Sequence, residues 1–183
     1  MLRLFVAIEL PEDLRLRLAN LAGGVPNANW VPEENIHLTL RFIGEADGAM
    51  AEDIDQALSQ IEAPAFKLTL SGVGQFGGGR GSRVLWAGVE RNDRLLHLNS
   101  KVESALVRVG LEREERKYSP HITLARLKRA PTDRIGRFLA ENGLFRAEPA
   151  PVRSFALIIS HMTRNGSIYE PANYYPLIET SAP

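Results

Sequence analysis

The chain contains no cysteine among its 183 residues. Disulfides, thiolate nucleophiles and cysteine–zinc centres are excluded, and the composition suits a reducing compartment. An excess charge of either sign is also missing, since Lys+Arg 22 balances Asp+Glu 22. A broad electrostatic hold on nucleic acid is therefore not expected, and any contact with a polyanion should be local. Long apolar runs are absent too. The opening "MLRLFVAIELPEDL" is broken by Glu9 and Pro11 and does not read as a signal peptide. Nothing approaches the ~18 apolar residues that cross a bilayer. What is present, at 44% hydrophobic, is ample material for a core. The expectation is a single domain over 1–183, soluble and cytoplasmic, with no membrane attachment and no obligate protein partner evident.

The order of elements is repeated. "LRLFVAIEL" (2–10) predicts a strand, and Pro11 then opens a helix whose stripe is Leu14, Leu18 and Leu21. A strand over 36–43, a helix over 47–62 and a strand over 66–74 follow. After the loop "GQFGGGRGSR" the plan restarts: strand 83–90, helix 93–110, strand 120–127, helix 131–143 and strand 151–161, with a further extended piece over 167–177. "RLFVAIE" resembles "RVLWAGVE" at an offset of 83 − 3 = 80, and "HLTL" resembles "HITL" at 121 − 37 = 84. These near-equal offsets predict an α+β fold of two pseudo-symmetric βαβ-type repeats, roughly 1–74 and 83–177. They would form a bilobal domain with antiparallel sheets around a central cleft.

The repeated motif carries chemistry. In "NIHLTLRF" (35–42) the residues alternate strictly, as in a half-buried strand, so His37 and Thr39 share one face about 7 Å apart. His121 and Thr123 do the same in "PHITLARL". Under a two-fold relation the polar faces meet, placing two imidazoles and two hydroxyls around one small anion. Near neutral pH one imidazole can take a proton from water while the other, protonated, gives one to a leaving alkoxide. The hydroxyls are fixed donors to phosphate oxygens. A lone His-x-Thr is weak evidence, as "HMT" (161–163), outside the repeat, illustrates. Packing offers no reason to repeat both polar residues in phase. No carboxylate stands in phase with either pair, so a metal site is not expected and the scheme needs no cofactor.

These motifs, together with "RLFVAIELP", "WVPEENIHLTLRFIGE", "RVLWAGV" and "PHITLAR" in order over nearly the whole chain, resemble the 2H phosphoesterases. More narrowly, they resemble the RNA 2′,3′-cyclic phosphodiesterases long called 2′-5′ RNA ligases. The resemblance implies a bilobal fold, no metal, and hydrolysis of an RNA 2′,3′-cyclic phosphate end to a 2′-phosphomonoester, with weak reversible 2′-5′ ligation. By position it makes His37 the proton donor and His121 the proton acceptor, with Thr39 and Thr123 on the phosphoryl oxygens. The residues themselves treat the two histidines alike. Alternatives are a 2H hydrolase of another cyclic or 2′,5′-linked nucleotide, and an RNA-end binding module with little turnover.

Substrate-binding candidates are Arg126, Arg41 and Phe42. Arg126 stands where the subfamily often has an arginine, yet strict alternation places it with Ile122 and Leu124, away from His121, unless the strand bulges. Arg41 shares parity with His37. Phe42, Trp30 and Tyr118 flank the motifs as candidate stackers on a nucleobase, although Phe42 has the parity of core residues Leu38 and Leu40. The glycine-rich loop lacks a Gly-Lys-Ser/Thr signature and is no P-loop, and Arg80 and Arg83 could meet an RNA backbone there.

Overall fold

A computed structural model describes residues 1–78 and 83–180. Strands β1 (Leu2–Glu9), β2 (Ala28–Trp30), β3 (His37–Ala46), β4 (Phe66–Leu68), β5 (Leu70–Phe76), β6 (Arg83–Val89), β7 (His121–Leu127), β8 (Ala150–Val152), β9 (Ser154–Thr163) and β10 (Gly166–Pro176) are interleaved with helices α1 (Glu12–Ala19), α2 (Gly48–Ser59), α3 (Asp93–Arg108) and α4 (Thr132–Asn142). All strand pairings are antiparallel. One sheet has the order β10-β9-β1-β3 and the other β2-β7-β6-β5.

The repeat boundary is not the sheet boundary. β1, which pairs with β3 of its own half, also pairs with β9 of the second, while β6, which pairs with β7, also pairs with β5 of the first. Each half therefore lends its last strand to the other half's sheet. The crossing segments meet in the small β4–β8 ladder, where Lys67 pairs with Pro151. Because 151 − 67 = 84, equal to 121 − 37, the pseudo-two-fold relation maps this pair onto itself. The strands read as single units over 66–74 and 151–161 are each two, broken at Thr69 and Arg153 as the chain passes from this ladder into a sheet. The paired registers also correct the alignment of the leading strands. Phe5 pairs with Phe42 and Val84 with Arg126, so the offset is 84 − 5 = 79, one less than the arginines suggested.

The helices form where their patterns place them. α3 turns Leu95, Leu98, Val102, Ala105 and Leu106 inward and starts at Asn92, whose side chain accepts from the Leu95 amide. α2 starts at Asp47, which accepts from the Met50 amide. α1 and α4 begin directly after Pro11 and Pro131. Their apolar stripes join one core with Leu4, Val6, Ile8, Leu38, Leu85, Ala87 and Ile122. Each fully buried leucine or isoleucine there contributes roughly 1.5–3 kcal/mol. A second, smaller cluster of Phe5, Ala7, Ala156 and Ile158, packed under Tyr169, lies on the other face of the first sheet. No helix among the described residues is long and apolar enough to cross a membrane.

Candidate active site

His37 and Thr39 stand on the face of the first sheet that carries the smaller cluster. Thr39 pairs with Ala7, and His37 with Glu9. The imidazole rests against Phe5, 5.0 Å between centroids, and receives Tyr169 edge-on at 5.4 Å. On the second sheet His121 pairs with Gly88 and Thr123 with Trp86. Phe76 meets the His121 ring edge-on at 4.7 Å and lies 5.2 Å from Trp86. That indole lies across Gly74, where a Cβ would come within 2.3 Å of it.

Both histidines are held in the same tautomer by the backbone two residues earlier. His37 Nδ1 is 2.6 Å from the Asn35 carbonyl, and His121 Nδ1 is 2.7 Å from that of Ser119. A carbonyl only accepts, so each Nδ1 carries its proton and donates. In the neutral ring Nε2 is then the free base. At His37 this Nε2 accepts from the Thr39 hydroxyl at 2.8 Å. Burial holds the His37 pKa below 6.5, the Asn35 carbonyl opposes this, and the Arg126 guanidinium adds to the lowering. Arg126 belongs to the other sheet, so its charge reaches His37 from β7 rather than from its own sheet.

Two bulges decide which residues accompany the motifs. In β3, Thr39 pairs with Ala7 but Arg41 with Val6, so Leu40 is the extra residue. In β7, Thr123 pairs with Trp86 but Ala125 with Leu85, so Leu124 is extra. Past each bulge the alternation reverses. Arg126 therefore returns to the face of His121 and Thr123 and is exposed there. Phe42 turns to the face of His37, 61% exposed and 5.9 Å from Phe5. The core placement implied by its parity is corrected. Arg41 is thrown to the opposite face, also against its parity. There Nε bonds Glu103 at 2.7 Å while the other nitrogens bond the carbonyls of Phe42 and Glu112. With side chains only 13% and 14% exposed, the Arg41–Glu103 pair is occupied in holding the fold.

Carbonyls displaced by the bulges find partners elsewhere. Thr39 O accepts from the Tyr118 hydroxyl and Leu40 O from Asn99 Nδ2, both at 2.9 Å, and Leu124 O accepts from the Val31 amide at 2.9 Å. Tyr118 is thus a brace, its hydroxyl pKa pushed up by burial, rather than a stacking platform. Trp30 pairs with buried Ala125 and packs on Phe138 at 5.5 Å, on the side away from the histidines. Arg83 pairs with buried Leu127 and so faces away from Arg126, and Arg80 lies outside the described residues. His161 bonds exposed Glu170 at 2.8 Å, and His97 is exposed on α3, so neither joins the site. Among the described residues no group of three or more His, Cys, Asp or Glu is arranged to hold a metal.

Sequence reasoning missed Phe5, Tyr169, Phe76, Trp86 and Asn35 as neighbours of the motifs. The unbroken apolar run "LFVAI" held a signal for Phe5, since a strand without alternation is buried on both faces. Tyr169 and Phe76 arrive on strands from the opposite half of the chain to the histidine each meets, which no local pattern announces.

Residues 8–86 and 88–169 each match the family model described as LigT like phosphoesterase. Curated relatives include proteins named RNA 2′,3′-cyclic phosphodiesterase. That of Thermotoga maritima is 34% identical over 175 residues, covering 92% of both chains. That of Aeropyrum pernix is 36% identical over 158 residues, 85% of this chain and 89% of the relative. The crystal structure of Escherichia coli LigT in apo form superposes with a TM-score of 0.77 at 28% identity, covering 96% of this chain and 97% of that one. Its complex with 3′-AMP gives 0.75 at 28% identity, covering 96% and 98%.

Proposed function

The chain belongs to the LigT-like phosphoesterases, the 2H family, and from this premise we propose that it hydrolyses RNA 2′,3′-cyclic phosphate ends to 2′-phosphomonoesters without a metal. One observation supports the reading: two His-x-Thr pairs, one on each sheet, each with the histidine proton fixed on Nδ1 and Nε2 left for chemistry.

In the proposed reaction, His121 Nε2 takes the proton of a water that attacks phosphorus. His37, protonated, gives its Nε2 proton to O3′ as the P–O3′ bond breaks. A ribose 3′-hydroxyl and a 2′-phosphate result, and the histidines exchange protons with solvent before the next turn. Thr39 and Thr123 donate to the non-bridging oxygens, and Arg126 offsets the charge that builds there. The lowered pKa of His37 makes it a readier donor but a scarcer imidazolium in the free enzyme. A bound phosphate neutralises Arg126 and restores the protonated form. Phe42, exposed beside His37, is placed for a base to stack on.

The experiment compares an oligonucleotide ending in a 2′,3′-cyclic phosphate with a 2′,5′-linked dinucleotide, both in EDTA. Faster turnover of the cyclic end to a 2′-phosphate supports the reading. Preference for the 2′,5′ linkage, or retention of the cyclic end without product, overturns it.

A further inference from the structure

His37 and His121 are alike in sequence, tautomer and backbone partner, yet Phe5 and Tyr169 both lie against His37 where His121 meets Phe76. Asn35 is the sole buried polar side chain among the described residues, at 9% exposure. Its carbonyl accepts from His37 Nδ1, while its Nδ2 donates to the Ser167 carbonyl at 2.8 Å, 132 residues away. Ser167 is the second residue of the returning strand of the β9–β10 hairpin, and two residues on Tyr169 places its ring edge on His37. One side chain thus ties the loop that orients the imidazole to the hairpin that shields it. In the second repeat the equivalent residue is Ser119, since 35 + 84 = 119. It is exposed and gives His121 only its carbonyl.

We propose that Asn35 is a positioning residue: by latching the β9–β10 hairpin over His37 it makes the two histidines unequal and so divides the acid and base roles between them. The inference rests on the two-histidine reading above. Burial is the largest influence on His37, and the hairpin supplies part of that burial through Tyr169. The other groups facing the ring are Arg126 from β7, Thr39 on its own strand, and Glu9 of β1. The Glu9 carboxylate accepts from the Tyr174 hydroxyl at 3.0 Å. Neither Arg126 nor Glu9 is bonded to Asn35, so cutting the latch changes hydration while leaving these charges in place.

The test is an NMR titration of the His37 ring in Asn35→Ala, needing no substrate, with the pH dependence of kcat/KM measured alongside. The latch predicts that the His37 titration moves up toward 6.5, that the limb lost at high pH moves with it, and that kcat falls more than KM rises. Asn35→Leu, close in size and lacking the donor without adding a charge, should shift in the same direction, so the proposal stays testable if the alanine variant folds poorly. Asp55→Ala is the comparator. Asp55 accepts from Tyr175 and Asn173 at the far end of β10, so its loss should lower Tm without moving the His37 titration. A His37 titration unchanged in both Asn35 variants, or moved equally by Asp55→Ala, overturns the proposal. If the titration shifts but no cyclic-phosphate hydrolysis is found, the latch stands and the catalytic reading falls.

Discussion

Phe42 and Arg126 occupy one position of the repeat: 126 − 42 = 84, and each follows a bulge that turns it onto the face of its own histidine. The duplicated scaffold thus presents an aromatic ring on the face that carries His37 and a cation on the face that carries His121. A nucleotide has both a base and a phosphate to offer such a pair.

Arg126→Ala should remove a phosphate contact and a charge that disfavours imidazolium at His37. Loss of a charged hydrogen bond of about 1.5–3 kcal/mol corresponds to roughly a 10–100-fold fall in kcat/KM. The sign on pH follows from the lowering that Arg126 exerts. Without it the His37 pKa rises, so activity persists to higher pH before the donor deprotonates. A pH–rate series on wild type and variant checks this, the wild-type limb in kcat/KM lying below 6.5.

Phe42→Ala should raise KM for cyclic-phosphate oligonucleotides with kcat largely kept. Stacking contributes about 1–3 kcal/mol per base, so a rise of at least ~5-fold is expected. Phe42→Trp should retain affinity.

Arg41→Ala should cost stability and spare catalysis. A part-buried charged hydrogen bond is lost, about 1.5–3 kcal/mol in a denaturant melt. Burial pushes the Glu103 carboxyl up, but the Arg41 bond and charge and the Glu114 amide outweigh it and hold the pKa below 4.5. The pair's contribution is full above 4.5 and lost as pH falls through the lowered value. The gap between wild type and variant should therefore narrow in acid.

Gly74→Ala should disturb the His121 side. Its Cβ would meet the Trp86 ring at 2.3 Å, forcing the indole that backs Phe76 to move. Overpacking of this kind costs about 1–3 kcal/mol, read as a lower Tm.

The repeat, the four helices and the two strands that carry His37 and His121 were all legible in the sequence, because periodicity and duplication are local or self-referential signals. What alternation could not give was anything beyond Leu40 and Leu124. A bulge adds one residue to a strand without altering its apolar pattern, so Arg41, Phe42 and Arg126 were each assigned to the wrong face by strict parity. The exchange of β5 and β9 between sheets was equally hidden, since a strand's sequence records its burial and not its partner. Tyr169 and Phe76 reached the histidines by that route. The latch at Asn35 joins residues 132 apart and needs a fold to be seen.

The most direct measurement is single-turnover hydrolysis of a 2′,3′-cyclic-phosphate oligonucleotide in EDTA by His37→Ala and by His121→Ala. Acid–base assistance of roughly 10²–10⁴-fold per group sets the scale of loss expected in each. Both variants should stay folded and lose at least that much, with the double variant little worse than either single one. Wild-type turnover by either folded single variant would contradict the two-histidine reading.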